Sequence, residues 1–209
     1  MKAPVPSRVM APLLATLAFA STVNPVSAAD PRRPDLSFVV HTLKEENVEG
    51  PDVERTYFMA DARRIVFGKP KGCRLSIEGG GLLILPTDPG LDGEIRVGRS
   101  SFTPESDLAQ DVLQYREAAA KGIPAGATRV EVKQPLMDTY PYNGWRSLGF
   151  TWTYVFSGRP MVRTVSYINL ELGIQITVTT VAVAKDTEGV QKIARQFMSS
   201  WWVMQNSER

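Results

Sequence analysis

The sequence has one cysteine and one histidine among its 209 residues. A structural zinc site needs about four Cys or His ligands and an iron–sulfur cluster needs several cysteines, so this chain alone can build neither. An internal disulfide is excluded as well, and any His-based nucleophilic triad would have to use His41. We therefore expect no metal, no cofactor and no catalytic histidine, and we interpret His41 as a surface or strand-edge residue.

A hydrophobic run of membrane-spanning length is also missing, since the uncharged segment from Val9 to Ala20 is too short to cross a bilayer. Lys2 and Arg8 precede this segment, and Val26-Ser27-Ala28 follows it with small or medium residues at the −3 and −1 positions of a signal-peptidase site. The pattern predicts a cleaved leader; an uncleaved N-terminal anchor is the alternative.

The predicted signal peptide covers residues 1–28, with cleavage between Ala28 and Ala29 and the Ala29/Asp30 bond as the neighbouring option. No twin arginine is present, so we expect the general secretory route and a periplasmic or extracellular protein. The mature chain should contain no transmembrane segment.

Once the leader is removed, the chain has no excess of either positive or negative charge. Loss of Lys2 and Arg8 lowers the 24 basic residues to 22, which equals the 22 acidic residues. Binding by phosphate neutralisation needs a basic face, so we expect no nucleic-acid partner. Cys73 alternates with Leu75 and Ile77, and we predict a buried apolar role for it rather than a reactive thiol.

The mature chain is predicted to form one α+β domain over residues 56–203. A loop-rich segment, residues 29–55, precedes the domain and contains the acidic stretch from Glu45 to Glu54. A short polar tail, residues 204–209, follows it. The length suits a single hydrophobic core.

Alternating apolar residues predict a mainly antiparallel sheet. Two hairpins are expected first, one around Asp61 and one around Glu78-Gly79-Gly80-Gly81. The strands that we expect from this pattern are Thr56–Met59, Arg63–Phe67, Cys73–Ile77, Leu82–Leu85, Glu94–Val97, Val130–Gln134, Leu148–Phe156, Val162–Leu170 and Ile174–Val183.

Helical periodicity occurs twice. Thr103 as N-cap and Pro104 in the first turn predict a helix that ends before Gly122, and its apolar stripe consists of Leu108, Val112, Tyr115 and Ala119. A second helix is expected from Asp186-Thr187, with its stripe formed by Val190, Ile193, Ala194, Phe197, Met198 and Trp201. We expect this second stripe to cover the large residues at even positions of the preceding strand, namely Leu148, Phe150, Trp152, Tyr154 and Phe156.

Four segments, spread from Thr56 to Trp202, resemble a known family. They are Phe67-Gly68-Lys69-Pro70-Lys71-Gly72-Cys73, Gly149-Phe150-Thr151-Trp152-Thr153-Tyr154, Val165-Ser166-Tyr167-Ile168 and Phe197-Met198-Ser199-Ser200-Trp201. In their order along the chain they resemble the PsbP-like α/β/α sandwich of extrinsic photosystem proteins and bacterial envelope proteins. The resemblance implies an accessory or assembly role without catalysis, and it carries no functional residues to this chain.

Paired carboxylates are the acid–base chemistry that this composition permits. Asp107 and Asp111 are spaced to share a helix face, and Asp88 and Asp92 lie in one loop that lacks the ligands of a calcium site. We interpret Asp107 and Asp111 as part of a solvated helix face and expect no calcium at Asp88 and Asp92, with a carboxylate-dependent hydrolase of envelope polymers as the alternative function.

Two clusters are candidate binding sites for a ligand or a partner. Arg63, Arg64, Lys69 and Lys71, followed by Arg74, form an acid-free basic segment that either docks an anionic group or protects a sheet edge. Tyr140, Tyr142 and Trp145 surround Asn143-Gly144, a dipeptide that favours a two-residue type I′ turn. These rings form either an exposed platform or part of the core.

The sequence favours an exported, non-catalytic accessory or binding domain of the bacterial cell envelope. Its partner would be an envelope protein or a small ligand held by surface loops. The alternatives are the hydrolase described above and a structural subunit of an envelope complex. The sequence leaves the oligomeric state open.

Overall fold

The computed structural model describes residues 35–45, 53–102, 107–139, 143–170 and 173–204. Segments of alternating apolar and polar residues account for most of the twelve strands in this described part of the chain. The predicted leader lies outside the described residues. The strands are β1 (Leu36–Glu45), β2 (Val53–Ala60), β3 (Arg63–Phe67), β4 (Cys73–Glu78), β5 (Gly81–Pro86), β6 (Gly93–Arg99), β7 (Thr128–Val132), β8 (Leu136–Thr139), β9 (Arg146–Phe156), β10 (Arg159–Leu170), β11 (Ile174–Val183) and β12 (Trp202–Met204). The helices are α1 (Val112–Ala120) and α2 (Thr187–Ser199), the second preceded by a 3₁₀ turn, Ala184–Asp186.

The strands form two antiparallel sheets. The four-stranded sheet has the order β1-β2-β3-β12, and the eight-stranded sheet has the order β4-β5-β6-β11-β10-β9, with β7 and β8 both paired to β9. Both predicted hairpins are present. Asp61 (φ 50°) turns the chain between β2 and β3, and Gly79 (φ 59°) with Gly80 (φ 77°) supplies the two positive φ angles that a tight hairpin turn requires.

Two hydrophobic cores lie on opposite faces of the eight-stranded sheet. The larger core joins the inner side of the four-stranded sheet, one face of β5, β6 and β11, and α2. The smaller core lies on the other face, between α1 and the large residues of β9 and β10. Antiparallel sheets with helices packed on them confirm the predicted α+β class. Neither described helix is long and apolar enough to cross a membrane.

The expected pairing of the aromatic strand with the terminal helix is wrong. Phe150, Trp152 and Tyr154 are buried as predicted, but they pack in the smaller core with Tyr115 of α1. The stripe of α2 instead packs on β6 and β11. Phe156, the last large residue of the strand, is 39% exposed. Periodicity identified the apolar faces correctly but could not assign their partners.

The first helix begins later than the sequence predicts. Its N-cap is Asp111, whereas Thr103 and Pro104 lie outside the described residues. Asp107 forms a local turn instead, because its carboxylate accepts the backbone N–H of Ala109 and its carbonyl accepts the N–H groups of Gln110 and Asp111. Such side-chain bonds compete with helix formation.

The segment predicted as loop-rich contains β1, which pairs with β2 along the edge of the four-stranded sheet. Phe38 of β1 is buried and lies 5.1 Å from the ring of Phe58. A strand that was not predicted, β8, continues the edge begun by β7 after an interruption at Pro135, which has no N–H to donate. This places β8 at an outer edge of the eight-stranded sheet.

Candidate functional site

A groove of about 340 Å³ lies between α2 and the surface of β8, β9 and β10. The helix covers β6 and β11 on this face of the eight-stranded sheet, and it leaves the neighbouring strands open. The floor and walls of the groove consist of Gln134, Leu136, Asp138, Ser147, Gly149, Thr151, Thr164, Ser166, Val178, Thr180, Gln191, Ala194, Arg195 and Ser199.

The groove exists because β9 has two very different faces. Its even positions from 148 to 154 are large and fill the smaller core, whereas Ser147, Gly149 and Thr151 at odd positions are small and face the groove. A Cβ at Gly149 would meet the Ser166 hydroxyl at 3.5 Å and the Leu136 carbonyl oxygen at 3.7 Å, both ordinary contacts. The backbone therefore tolerates a side chain here, and the glycine leaves space above the floor.

Hydroxyl groups dominate the floor. Thr151 Oγ1 and Thr164 Oγ1 lie 3.1 Å apart, and Gln191 Nε2 of α2 donates to Thr164 Oγ1 at 3.0 Å. This chain connects the helix to the floor across the groove. The other floor hydroxyls come from Ser147, Ser166 and Thr180. Serine and threonine hydroxyls both donate and accept, so the floor can bond to a ligand with hydroxyl or carbonyl groups.

The walls add one charge of each sign. Arg195 of α2 is exposed and has no hydrogen-bond or ion-pair partner within the described part of the chain. Asp138 of β8 is the carboxylate among the lining residues. Apolar contacts come from Leu136, which is 66% exposed, and from buried Val178 and Ala194. The lining thus combines hydroxyl and charged groups with apolar patches, so that a ligand could both form hydrogen bonds and make apolar contacts here.

The predicted basic segment lies away from the groove. Arg63 and Arg64 begin β3, and Lys69 and Lys71 are exposed in the loop between β3 and β4. The Arg64 guanidinium carbon lies 5.2 Å from the centre of the Tyr57 ring. These side chains remain candidates for a partner surface on the four-stranded sheet.

The predicted aromatic turn has a different geometry from a two-residue hairpin. Thr139 pairs with Arg146, so the connection spans residues 140–145, and Gly144 near its end has a positive φ of 68°. Asn143 is held instead by its own side chain, which accepts the Trp145 N–H and donates toward the Met198 and Trp201 carbonyls at 3.5 Å.

The structure buries Trp145 to 3% exposure, and its ring packs edge-on against Trp201 at 6.4 Å. Trp145 therefore occupies the core position that was one of the two interpretations. Tyr140 and Tyr142 lie outside the described residues, and a binding role for them stays a prediction.

The four acids of the hydrolase alternative also lie outside the groove lining. Asp107 and Asp111 shape the turn before α1, Asp88 accepts the Gly90 N–H, and Asp92 pairs with Arg159. Among the described residues no group of three or more His, Cys, Asp or Glu is placed to hold a metal ion.

The groups with perturbed pKa values lie elsewhere in the fold. Burial raises the pKa of Tyr167 to about 12, the neighbouring Tyr115 adds to the rise, and Arg163 opposes it. Burial lowers the pKa of the Arg163 guanidinium, whose Nε has no hydrogen-bond partner among the residues that the structure describes. Burial likewise raises the pKa of the half-buried Cys73 thiol, which packs against the larger core. None of these groups lines the groove.

Sequence reasoning missed the groove, although the sequence contained one sign of it. Ser147, Gly149 and Thr151 alternate with the large residues of β9, which shows that one face of a central strand has little to bury. A strand face of small residues in a sheet that is otherwise covered indicates open space.

No family model matches the chain, and no curated protein matches it. Similar solved structures include LpqN, described as involved in cell envelope biogenesis of Mycobacterium tuberculosis, with 16% identity, a TM-score of 0.48, and coverage of 80% of this chain and 92% of that chain. A protein of unknown function from Pseudomonas aeruginosa, described as a putative regulator, has 16% identity, a TM-score of 0.39 and coverage of 75% and 94%. A point mutant of the protein Mog1 has 14% identity, a TM-score of 0.45 and coverage of 80% and 98%.

Proposed function

We propose that this chain is an exported, non-catalytic binding protein of the bacterial cell envelope that holds a small, hydroxyl-rich ligand such as a sugar in the groove beside α2. The observation that carries the proposal is the hydroxyl floor on β9 and β10, with the hydrogen bond from Gln191 to Thr164 linking it to the helix.

Size and chemistry support a sugar-like ligand. The volume of about 340 Å³ is near the lower end of small-molecule pockets, which span roughly 300–1,000 Å³. Ring hydroxyls would bond to the serine and threonine side chains of the floor, and the C–H faces of the ring would contact Leu136 and Val178. Arg195, at the rim, would favour ligands that also carry an anionic group.

Export rests on the leader. The uncharged segment after Lys2 and Arg8 and the small residues before Ala29 have the order of a signal peptide. The lone cysteine is half-buried in the fold, which suits an oxidising compartment. Within the envelope, the basic segment at Arg63 and Arg64 and the tyrosines at 140 and 142 remain proposed partner surfaces.

The hydrolase alternative has less support. Acid–base cleavage of a glycoside uses two carboxyl groups that lie roughly 5–9 Å apart, whereas Asp138 is the single carboxylate among the described residues that line the groove. A purely structural subunit would have no use for an open polar groove, although it could share the partner surfaces.

The test blocks the groove from its floor. Gly149→Val should fill the space above the floor, because the backbone tolerates a Cβ there. Gly98→Val is the matched control, since Gly98 is also a strand glycine with room for a Cβ (3.7 Å to Thr177 Oγ1) and does not line the groove.

Binding of glucose, maltose and N-acetylglucosamine would be measured by calorimetry and by the shift in Tm. We expect the parent and Gly98→Val to bind at least one of these sugars and Gly149→Val to lose that binding while unfolding at a similar urea concentration. Equal binding by both variants would overturn the assignment of the groove, and no binding by the folded parent would overturn the sugar class.

A further inference from the structure

The strand β4 forms one edge of the eight-stranded sheet, and its pairing is regular along its whole length. All six residues pair with β5, without a register shift, and β4 is the last strand of the sheet on this side. The strand contains neither proline nor lysine, two residues that commonly protect an edge from pairing with another chain. Arg74, Ile77 and Glu78 are exposed. The edge is therefore a template for one more strand.

The other edge strands are protected against such pairing. The ladders of β1 and β7 each contain a register shift, and β12 and β8 have only three and four residues. Arg129 has a positive φ of 53° at the irregularity in β7, and Pro135 separates β7 from β8. Bulges, short strands and prolines are the means by which natural sheets avoid association through their edges. Among the edge strands in the described part of the chain, β4 alone has none of them.

Alternate backbone groups of β4 point out of the sheet edge. The N–H of Thr87 donates to the Gly72 carbonyl at 2.8 Å, immediately before the strand begins. Hydrogen-bonded and non-bonded pairs alternate along an antiparallel ladder, so Gly72 and every second residue after it bond toward β5. The N–H and C=O groups of Cys73, Leu75 and Ile77 therefore point away from β5, and no described strand pairs with them.

We propose that β4 pairs with β4 of a second copy of this chain, antiparallel about a two-fold axis at Ser76. In this register Leu75 lies opposite Ile77 of the partner subunit, and each such pair exchanges both of its N–H···O=C bonds. Arg74 lies opposite Glu78 of the partner subunit. The two eight-stranded sheets become one continuous sheet.

The polar face of β4 has the charges that this register needs. Arg74 and Glu78 of the partner subunit form a pair without backbone hydrogen bonds, where opposite side chains lie closest. Arg74 has no ion pair or hydrogen bond with any residue that the structure describes. The Glu78 carboxylate has two long contacts, to Ser76 Oγ at 3.5 Å and to Arg96 Nη1 at 3.9 Å. Both groups are thus placed to form an ion pair across the axis.

The apolar face of β4 is also complementary to itself. Cys73 and Leu75 pack against the edge of the larger core, and alternation places Ile77 on the same face. Ile77 is 48% exposed. Pairing brings it against Leu75 of the partner subunit, which removes apolar surface from water and joins the two larger cores.

A strand from another protein is the other occupant that an open edge admits. The symmetry of the sequence favours a second copy. Leu75 and Ile77 lie one residue on either side of Ser76, and Arg74 and Glu78 lie two, so a single two-fold axis satisfies every pair at once. The groove borders β8, β9 and β10 at the other end of the sheet, so the dimer leaves it open and does not depend on its ligand.

Sedimentation velocity of the exported protein over a concentration series tests the association, and we expect a monomer–dimer equilibrium. Arg74→Glu places acid against acid at both ion pairs and should weaken the dimer by at least about tenfold. Arg116→Glu, at an exposed position on α1, changes the net charge equally and should leave the dissociation constant within about twofold of the parent. Combining Arg74→Glu with Glu78→Arg restores opposite charges across the axis and should recover most of the lost affinity.

Cross-linking tests the register and does not require Arg74→Glu to fold. In a Cys73→Ser background, Ser76→Cys should form a disulfide-linked dimer on mild oxidation, because residue 76 meets its own copy on the axis. Glu78→Cys in the same background should remain monomeric on a non-reducing gel, since it lies opposite Arg74 of the partner subunit.

A parent that is monomeric at every concentration would overturn the proposal and leave the edge to a strand from another protein. A dimer that Arg74→Glu and Arg116→Glu weaken alike would also overturn it, because the interface would then lie elsewhere. The same holds if Glu78→Cys cross-links as readily as Ser76→Cys. Sugar binding by the groove is measured separately, so these results do not bear on the proposed function.

Discussion

Gly93 of β6 lies directly against Val190 in the first turns of α2. A Cβ at Gly93 would be 2.8 Å from Val190 Cγ2 and 2.7 Å from the Val181 carbonyl oxygen, which is closer than real Cβ contacts allow. The missing side chain therefore lets the helix lie close to the sheet. Residues of α2 also line the groove, so this contact belongs to the packing that holds one wall of the candidate site.

Gly93→Ala should lower the free energy of unfolding by about 1–3 kcal/mol, because the backbone carbonyl cannot move as a flexible side chain would. Urea denaturation would measure the loss. Gly98→Ala is the control and should change stability by less than about 1 kcal/mol, since its Cβ would make only an ordinary contact. Equal losses in the two variants would contradict the close approach of α2.

Phe197→Ala should destabilise the protein by about 3–5 kcal/mol, through lost transfer energy and the cavity that remains. Phe197 is 1% exposed and packs edge-on against Phe67 and Trp201, each at 5.3 Å. Phe156→Ala, on the partly exposed end of β9, should cost much less. A loss below about 1 kcal/mol for Phe197→Ala would mean that α2 does not seal the larger core.

Much of the fold could be predicted because its signals are local. Turn residues such as Asp61 and Gly79-Gly80 fix the hairpins through their own backbone angles. The partner of each apolar face could not be predicted, since α1 and α2 both present a stripe and only the tertiary arrangement decides which helix covers Phe150 and Trp152. The late start of α1 reflects the same limit, because the turn at Asp107 competes with helical periodicity.

The groove was harder to predict than the strands that form it. A groove forms where no other element covers part of a sheet. Here α2 leaves β9 open because its apolar stripe packs on β6 and β11 instead. The burial of Trp145 could not be predicted for a related reason. An aromatic residue beside a turn is buried only if a partner distant in the sequence packs against it, and here that partner is Trp201. The small residues Ser147 and Gly149 were the signal available in the sequence. They indicate an open space above the strand, but they do not identify the ligand.

The phenol of Tyr167 should make stability depend on alkaline pH. Its pKa is raised to about 12, mainly by burial, from the ordinary value of about 10. Between these values the unfolded chain loses the proton while the folded protein keeps it. The contribution to stability is therefore fully present below about pH 10 and is lost as the pH rises to about 12.

Tyr167→Phe should remove that part of the pH dependence, about 2–3 kcal/mol over the full window. At neutral pH the variant should lose about 1 kcal/mol, because the hydroxyl donates to the Tyr115 carbonyl at 3.2 Å. Urea unfolding at several pH values from about 8 to 12 checks both effects. An alkaline decline as steep in the variant as in the parent would show that Tyr167 does not carry it.

The exported protein should begin at Ala29, or at Asp30 if the neighbouring bond is cleaved. Intact-mass spectrometry of protein recovered from a secreting host measures this directly. Ala28→Pro should move cleavage to the Ala29/Asp30 bond, because signal peptidase requires a small residue before the cleaved bond and Ala29 still supplies one there. Recovery of the parent with Met1 or the residues that follow it still attached would contradict the leader and the export on which the proposed function rests.

Thr164→Val tests the hydroxyl chain of the groove while preserving side-chain shape. The substitution removes the acceptor for Gln191 Nε2 and the partner of Thr151 Oγ1, so two half-buried polar groups lose a hydrogen bond. We expect the free energy of unfolding to fall by about 1–2 kcal/mol. The affinity for the sugar that the parent binds should fall by at least about tenfold. Thr153→Val is the control, because Thr153 is on β9 but does not line the groove; it should change neither stability nor binding appreciably. If Thr164→Val loses stability but binds the sugar as tightly as the parent, the hydroxyl chain supports α2 without contacting the ligand, and recognition must lie with the other floor residues.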